Sequence, residues 1–168
     1  MSKRPRFALD RRKMLAALCA LGASSWAFAA TPSRVEWTDI TLIDGRVLRA
    51  ADFRAQPVVV EIWATWCPYC KKQNPSVQKL HETTADKGLM VLTFAIDDDV
   101  ELIRAYQRRY GYTFAVARST AQVERMFGWG RGVPELYVVD RSGQIVVRED
   151  GEMFPEDVAA LARFATGA

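Results

Sequence analysis

The chain has 168 residues, 49% of them hydrophobic and 26% charged, an ordinary globular composition long enough for one domain with a real core. Its formal charge of +3 is unevenly placed: Lys3, Arg4, Arg6, Arg11, Arg12 and Lys13 face a single acid, Asp10, before Ala30, so that segment carries +5 and the rest −2. A mildly acidic domain behind a basic leader has no footprint for nucleic acid, and that partner class is excluded.

Residues 1–29 have the parts of an export signal: a basic run to Lys13, a small-residue apolar stretch over 14–28, and Ala27-Phe28-Ala29 as a cleavage site before Ala30. Residues 30–168 then form the mature domain, expected in the periplasm. The apolar stretch is short for a membrane span, and an N-terminal anchor is the alternative if the leader is retained. Arg11-Arg12-Lys13-Met14-Leu15 resembles a twin-arginine export signal, with Met where that motif usually has Phe, and a Sec signal with a chance arginine pair fits as well. Cys19 lies inside the leader behind the bulky Leu18, which argues against a lipoprotein acceptor.

In the mature chain, 40–48 reads as a hairpin around Asp44-Gly45. The continuous apolar run 58–64 predicts a strand covered on both faces. A helix is expected over 68–87, with Val77 and Leu80 inward, Lys71, Lys72, Gln78, Lys79 and Glu82 outward, and Gly88 at its end. A second buried strand follows over 89–96, then the acidic run Asp97-Asp98-Asp99, read as a cap for a helix over 100–110 whose inward residues are Leu102, Ile103 and Tyr106. A short strand over 114–117, a short helix over 120–127, a hairpin of 136–140 and 144–148 and a closing helix over 155–164 complete the order. Helices between parallel strands, with a final antiparallel hairpin, predict an α/β sandwich on a mixed sheet.

Trp66-Cys67-Pro68-Tyr69-Cys70 stands at the junction of the first long strand and helix. A CxxC pair by itself is compatible with half a zinc site, a structural bridge or a redox couple. Zinc needs about four thiolate or imidazole ligands, and the mature chain offers Cys67, Cys70 and a distant His81. A bridge closing so short a loop restricts the unfolded chain very little, so the redox couple is the favoured reading and no metal is expected. Cys67, first in the pair and at the helix start, is read as the attacking thiolate and Cys70 as the resolving thiol. Pro68 suits the first helical position. Lys71 and Lys72 add positive charge near the thiols, or simply form a solvated helix face. Trp66 and Tyr69 are expected to give apolar contact surface for a partner.

The run Val-Val-Glu61-Ile-Trp-Ala-Thr-Trp-Cys-Pro-Tyr-Cys resembles the active-site strand and helix of the thioredoxin superfamily. Pro75 occupies the position of that family's helix-kinking proline, and Gly132-Val133-Pro134 is similar to its cis-proline loop. The early hairpin and the run Leu-Tyr-Val-Val-Asp-Arg-Ser-Gly-Gln-Ile resemble the exported TlpA-like branch, which contains thiol–disulfide reductases, some serving cytochrome c maturation. The resemblance implies a thioredoxin-like three-layer sandwich with an added N-terminal β-hairpin. It implies a Val133–Pro134 backbone lying against the cysteines and pairing with an extended substrate. It also implies a buried Glu61 that accepts the proton of the resolving thiol, with a strand-end glutamate reaching solvent as the alternative. Many TlpA-like reductases carry Glu three residues after the second cysteine, where this chain has Gln73. Glu135 resembles the cytochrome-maturation type and is a substrate-contact candidate, or else a rim charge. Trp129 borders the substrate surface or packs.

The function expected is therefore an exported thiol–disulfide oxidoreductase, in the reducing direction, acting on periplasmic protein thiols and disulfides. Its only redox group is the Cys67–Cys70 pair, with no further cofactor, and a membrane protein is the expected electron donor. A disulfide donor of the same fold is the first alternative. A copper chaperone is disfavoured because its relatives use CxxxC with a distant histidine, and a lone peroxidatic cysteine motif is absent.

Overall fold

A computed structural model describes residues 33–130 and 132–165; the export signal expected at 1–29 lies outside them. Among the described residues the strands and helices follow in the predicted order, with a 3-10 turn added before the first long strand and another ending the last helix. A short hairpin, β1 (Ile40–Thr41) and β2 (Val47–Leu48), turns at Asp44-Gly45, where Gly45 takes φ +91, a region that costs a side-chain-bearing residue. A 3-10 turn (Ala50–Phe53) leads to β3 (Val58–Trp63), then α1 (Pro68–Thr84), β4 (Met90–Ala95), α2 (Val100–Tyr110) and β5 (Ala115–Arg118). The chain closes with α3 (Ala121–Phe127), β6 (Glu135–Val139), β7 (Ile145–Asp150), α4 (Pro155–Ala160) and a 3-10 turn (Leu161–Phe164).

The main sheet has the order β5-β4-β3-β6-β7. β3 runs parallel to β4 and antiparallel to β6, placing it at the centre, and all six of its residues are buried. Its two faces separate cleanly because strand side chains alternate. Val59, Trp63 and the β4 residues Val91 and Ala95 join α1, α2 and α4 in one core. Val58, Val60, Ile62 and Phe94 join α3, the 3-10 turn and the N-terminal segment in the other. The fully buried Trp63 spends its one donor on Thr93 Oγ1 at 3.0 Å.

The N-terminal segment crosses that second face. Val35, Ile40 and Leu42 are buried in its core; Ser33 and Val35 bond the start of β7 at Ile145 and Gly143, and Ile43 bonds β5 at Val116. This is the added hairpin the family resemblance implies.

Three expectations fail locally. α1 stops at Thr84 rather than near 87, because Lys87 N–H bonds back to Thr84 O and turns the chain early. Leu102 is 50% exposed; Ile103 and Tyr106, three apart, already fill the inward face of α2. Gln78 is buried rather than wet, since its Oε1 accepts from Thr113 N and Phe114 N and its Nε2 donates to Thr113 Oγ1.

Candidate active site

β3 ends at Trp63, in the core shared with α1, α2 and α4, and releases the chain into the loop before α1. Asp97, at the end of neighbouring β4, is buried and fastens that loop: its carboxylate accepts from Thr65 N at 3.0 Å and Thr65 Oγ1 at 2.5 Å. Within the acidic run only Asp99 acts as the helix cap the sequence suggests, accepting from Glu101 N at 2.9 Å. Asp97 holds the active-site entry instead, a role its neighbours in sequence concealed.

Cys67 is the N-cap of α1, and its Sγ accepts the Cys70 N–H at 3.1 Å. A cap of that kind aims the helix dipole at the sulfur and favours its anionic form when the pair opens. Pro68 occupies the first helical turn, where a missing N–H costs nothing. The two cysteines are joined as a disulfide, with Cα atoms 5.3 Å apart. Cys67 retains 2% exposure and Cys70 none. The Val133–Pro134 peptide is cis, Pro134 is buried, and the Val133 carbonyl oxygen lies 3.5 Å from Cys67 Sγ. Strand β6 thus delivers its loop to the sulfur pair, as the family resemblance implies. Pro75 lies inside α1, where it lacks the N–H of the helical ladder.

Glu61 is fully buried on the face of β3 that carries Val59 and Trp63, under the α1 residues Cys70 and Gln73, which share one side of the helix. Gln73 Nε2 donates to Glu61 Oε1 at 2.8 Å, while Gln73 Oε1 accepts from Met153 N at 2.7 Å. Burial pushes the Glu61 carboxyl from 4.5 up to about 8, and the Gln73 amide opposes that rise. The solvent-reaching alternative for Glu61 is therefore not what the fold builds. The departure from the family at Gln73 has a physical meaning here: a neutral donor sits where a second carboxylate would couple to Glu61.

Removing that donor has a defined outcome. In Gln73→Ala the Glu61 carboxyl loses the hydrogen bond that favours its charged form, so its pKa rises above about 8, and stability falls by about 1–3 kcal/mol as two buried groups lose their partner. Carbon-detected NMR titration of the Glu61 carboxyl and a denaturant melt measure the two effects.

Around the sulfurs the surface is aromatic. Trp66 is 67% exposed and Tyr69 55%. Phe154, which the sequence reading passed over, is 72% exposed at the N-cap of α4, beside the Met153 N–H that Gln73 ties to α1. Lys72 links the two sides, with its ammonium 5.3 Å from the Tyr69 ring centre and 3.7 Å from the Glu152 carboxylate. Lys71 lies instead over the Tyr110 ring at 5.7 Å. Trp129 is partly buried against the second core and donates to Gly132 O at 2.9 Å, steadying the start of the Val133–Pro134 loop.

Glu135 is not a rim charge. It is buried on the sheet face opposite Glu61, accepts from the Tyr137 hydroxyl, and lies 3.5 Å from Arg148 Nη2. Register explains this: Tyr137 pairs with Arg148, whose guanidinium covers the Tyr137 ring at 5.4 Å. His81, far down α1, takes no part in the site; partial burial lowers its pKa. No helix among the described residues is long and apolar enough to cross a membrane.

Comparison with known proteins agrees with this geometry. The AhpC/TSA family profile matches residues 34–148. The chain is 25% identical over 128 residues to thiol-disulfide oxidoreductase ResA of Bacillus thuringiensis (strain Al Hakam), covering 76% of this chain and 73% of that protein. It is 27% identical over 121 residues to thiol:disulfide interchange protein DsbE of Pseudomonas aeruginosa, covering 69% and 65%. A crystal structure of a thioredoxin family thiol:disulfide interchange protein from Chlorobium tepidum TLS shares the fold with a TM-score of 0.74 at 24% identity, over 82% of this chain and 99% of that one. The five-stranded mixed sheet with its flanking helices is accordingly a thioredoxin fold. The chain belongs to the AhpC/TSA family, and with its Cys67–Cys70 pair it is a thiol–disulfide oxidoreductase.

Proposed function

We propose that the protein is an exported reductase of protein disulfides in the periplasm, with Cys67 as nucleophile and Cys70 as resolving thiol. Cys67 thiolate attacks one sulfur of a partner disulfide, forming a mixed disulfide and releasing the partner's first sulfur as thiolate. Cys70 then attacks Cys67 Sγ, its proton passing to the Glu61 carboxylate, and the partner's second sulfur leaves with the electron pair of the broken bond. The partner gains two electrons and the protein ends as the disulfide. A dithiol donor, proposed to be a membrane protein, reopens the pair, and Glu61 returns its proton to the Cys70 sulfur. The pair itself carries the electrons, so no further cofactor takes part.

The observation that carries this reading is the buried Glu61 under the Cys70 side of α1, poised near pH 8 to give or take one proton. Trp66, Pro68 and Tyr69, with the Val133–Pro134 backbone, form the face offered to an extended substrate. Glu135, the residue after Pro134, serves it from behind, its buried carboxylate anchored to the Tyr137 hydroxyl and the Arg148 guanidinium. The leader pattern of residues 1–29 supports export, and the TlpA-like motifs make apocytochrome c or its chaperones the substrates to test first.

The reduction potential tests the direction. A value of about −200 mV or lower against a glutathione or dithiothreitol series is the expected result, and one near about −120 mV would make the protein an oxidant.

A further inference from the structure

A cavity of about 510 Å³ opens at the end of the sheet away from the cysteines, between the N-terminal segment, the 3-10 turn before β3 and the β6–β7 turn. Val58 starts β3 at that end, and Trp63 finishes it about 20 Å further on, where the chain turns toward Cys67. A volume of that size is ordinary for a small-molecule site. One wall is aromatic: Trp37 stacks on the buried Phe53 with ring centres 4.1 Å apart and planes 10° from parallel. Three exposed arginines line the same cavity, Arg34 from the N-terminal segment, Arg54 from the end of the 3-10 turn and Arg141 from the β6–β7 turn.

Local structure brings these side chains together. Val35 N–H donates to Gly143 O at 2.8 Å, which lays the N-terminal segment on the β6–β7 turn. The Arg34 side chain then crosses Gly143, where any Cβ would stand 3.9 Å from its Cγ and Cζ. Phe53 seats Arg54 beside the aromatic pair, and Ala55 follows at φ +57, a left-handed conformation that residues with a Cβ seldom take. The positive charge is left standing. Arg46, Arg49, Arg104, Arg118 and Arg148 each face a carboxylate, but neither Arg54 nor Arg141 has an ion pair among the described residues. Glu36 is the only acid among the described lining residues, and its 3.5 Å pair with Arg34 is exposed on both sides and weak. Acids in the adjoining turns are tied to their own backbone: Asp52 accepts from Arg49 N at 2.7 Å, and Asp140 from Ser142 N and Gln144 N at 2.8 and 2.9 Å. Three guanidinium groups against one carboxylate leave the lining two positive charges in excess, in a domain that is acidic as a whole.

We propose that Arg34, Arg54 and Arg141, with Trp37, form a binding site for a phosphate monoester, its phosphate held by the guanidinium groups and its organic body laid on the indole. A monoester carries about 1.5 to 2 negative charges at neutral pH, close to the charge the lining leaves uncancelled. Guanidinium forks take phosphate oxygens two at a time, and three of them suit a group with three free oxygens better than a carboxylate with two. The aromatic wall favours an ester over the bare ion. Two sources present that chemistry: a soluble sugar or glycerol phosphate, and the headgroup of phosphatidic acid in a bilayer. Either ligand leaves the cysteine face clear, so binding does not compete with disulfide exchange.

Calorimetric titration of the full chain with glycerol 3-phosphate tests the soluble source. Binding is expected to be about tenfold tighter than that of inorganic phosphate, which lacks the organic body, or of dimethyl phosphate, which lacks one charge and one free oxygen. The double variant Arg54→Gln, Arg141→Gln is expected to bind at least about tenfold more weakly, as two charge-assisted hydrogen-bond donors are lost. Its turnover of a disulfide with dithiothreitol should match the wild type, because neither residue touches the cysteine site. Vesicles of phosphatidylcholine with and without phosphatidic acid test the second source. They are read as the difference between wild type and the double variant, which cancels whatever residues 1–29 contribute. A response to either source supports the site and identifies its ligand, the soluble ester or the lipid headgroup. Equal binding of inorganic or dimethyl phosphate overturns the monoester assignment. No response to either source, or a response that the double variant keeps, overturns the site itself.

Discussion

Cys70→Ala, expressed with its leader in the native compartment, accumulates its partners as mixed disulfides that survive a non-reducing gel, and Cys67→Ala accumulates none. The asymmetry follows from position. Cys67 sits at the helix cap, with the Cys70 N–H directed at its sulfur and the Val133 carbonyl beside it, and it alone of the pair keeps any exposed surface. Cys70 lies beneath the first turn of α1, where a partner sulfur cannot reach it before Cys67 has been attacked. Losing either thiol removes the exchange cycle, so turnover falls by on the order of 10³-fold or more in both variants, and only trapping separates their roles. Equal trapping by Cys67→Ala would reverse the assignment.

Glu61→Gln carries the second large effect, and it shows in two measurements. Opening of the oxidised pair by a dithiol needs the Glu61 proton, so the rate, taken per attacking thiolate, falls as pH rises through about 8 in the wild type. In the glutamine variant that inflection disappears and the rate at neutral pH drops by about 10²-fold. Stability responds in the opposite sense. The folded carboxyl releases its proton near 8 and the unfolded one near 4.5, so between those values the folded chain holds more protons. Stability owed to the neutral carboxyl is fully present below about 4.5 and is lost as pH rises through about 8. Glutamine, neutral at every pH, escapes that loss: above pH 8 the variant is the more stable protein, by at most on the order of 5 kcal/mol, and denaturant melts across the range measure it. A variant slow in exchange yet stabilised in alkali separates a group kept for chemistry from one kept for packing.

The fold was legible where periodicity and punctuation are strong. The unbroken apolar run of β3 announced a strand covered on both faces and Asp44-Gly45 a hairpin, because each signal is local. The redox pair was legible for the same reason, with Cys67, Pro68 and Cys70 compressed into one cap and one turn. What the sequence hid are polar side chains paid for by distant partners. Gln78 reads as wet until Thr113 and Phe114 are seen to need its amide, and Asp97 reads as part of a cap until Thr65 is found across the strand end. Glu135 reads as a substrate contact or a rim charge because only the β6–β7 register brings Tyr137 and Arg148 to it. Phe154 carried no local signal at all; its place beside the site comes from Gln73 gripping the backbone one residue earlier.

An open sheet has two outer strands, and each offers unpaired peptide groups to any other strand that meets it. Here the segment from Ser33 to Ile43 reaches both. At one side Ser33 and Val35 occupy backbone groups at the start of β7, and at the other Ile43 N–H takes Val116 O while Leu42 bridges Ala117. The rest of β7 carries Arg148, Glu149 and Asp150, charges that discourage a neutral strand from docking. The same strap that completes one core thus acts as a guard against fibril-like stacking of one sheet on the next.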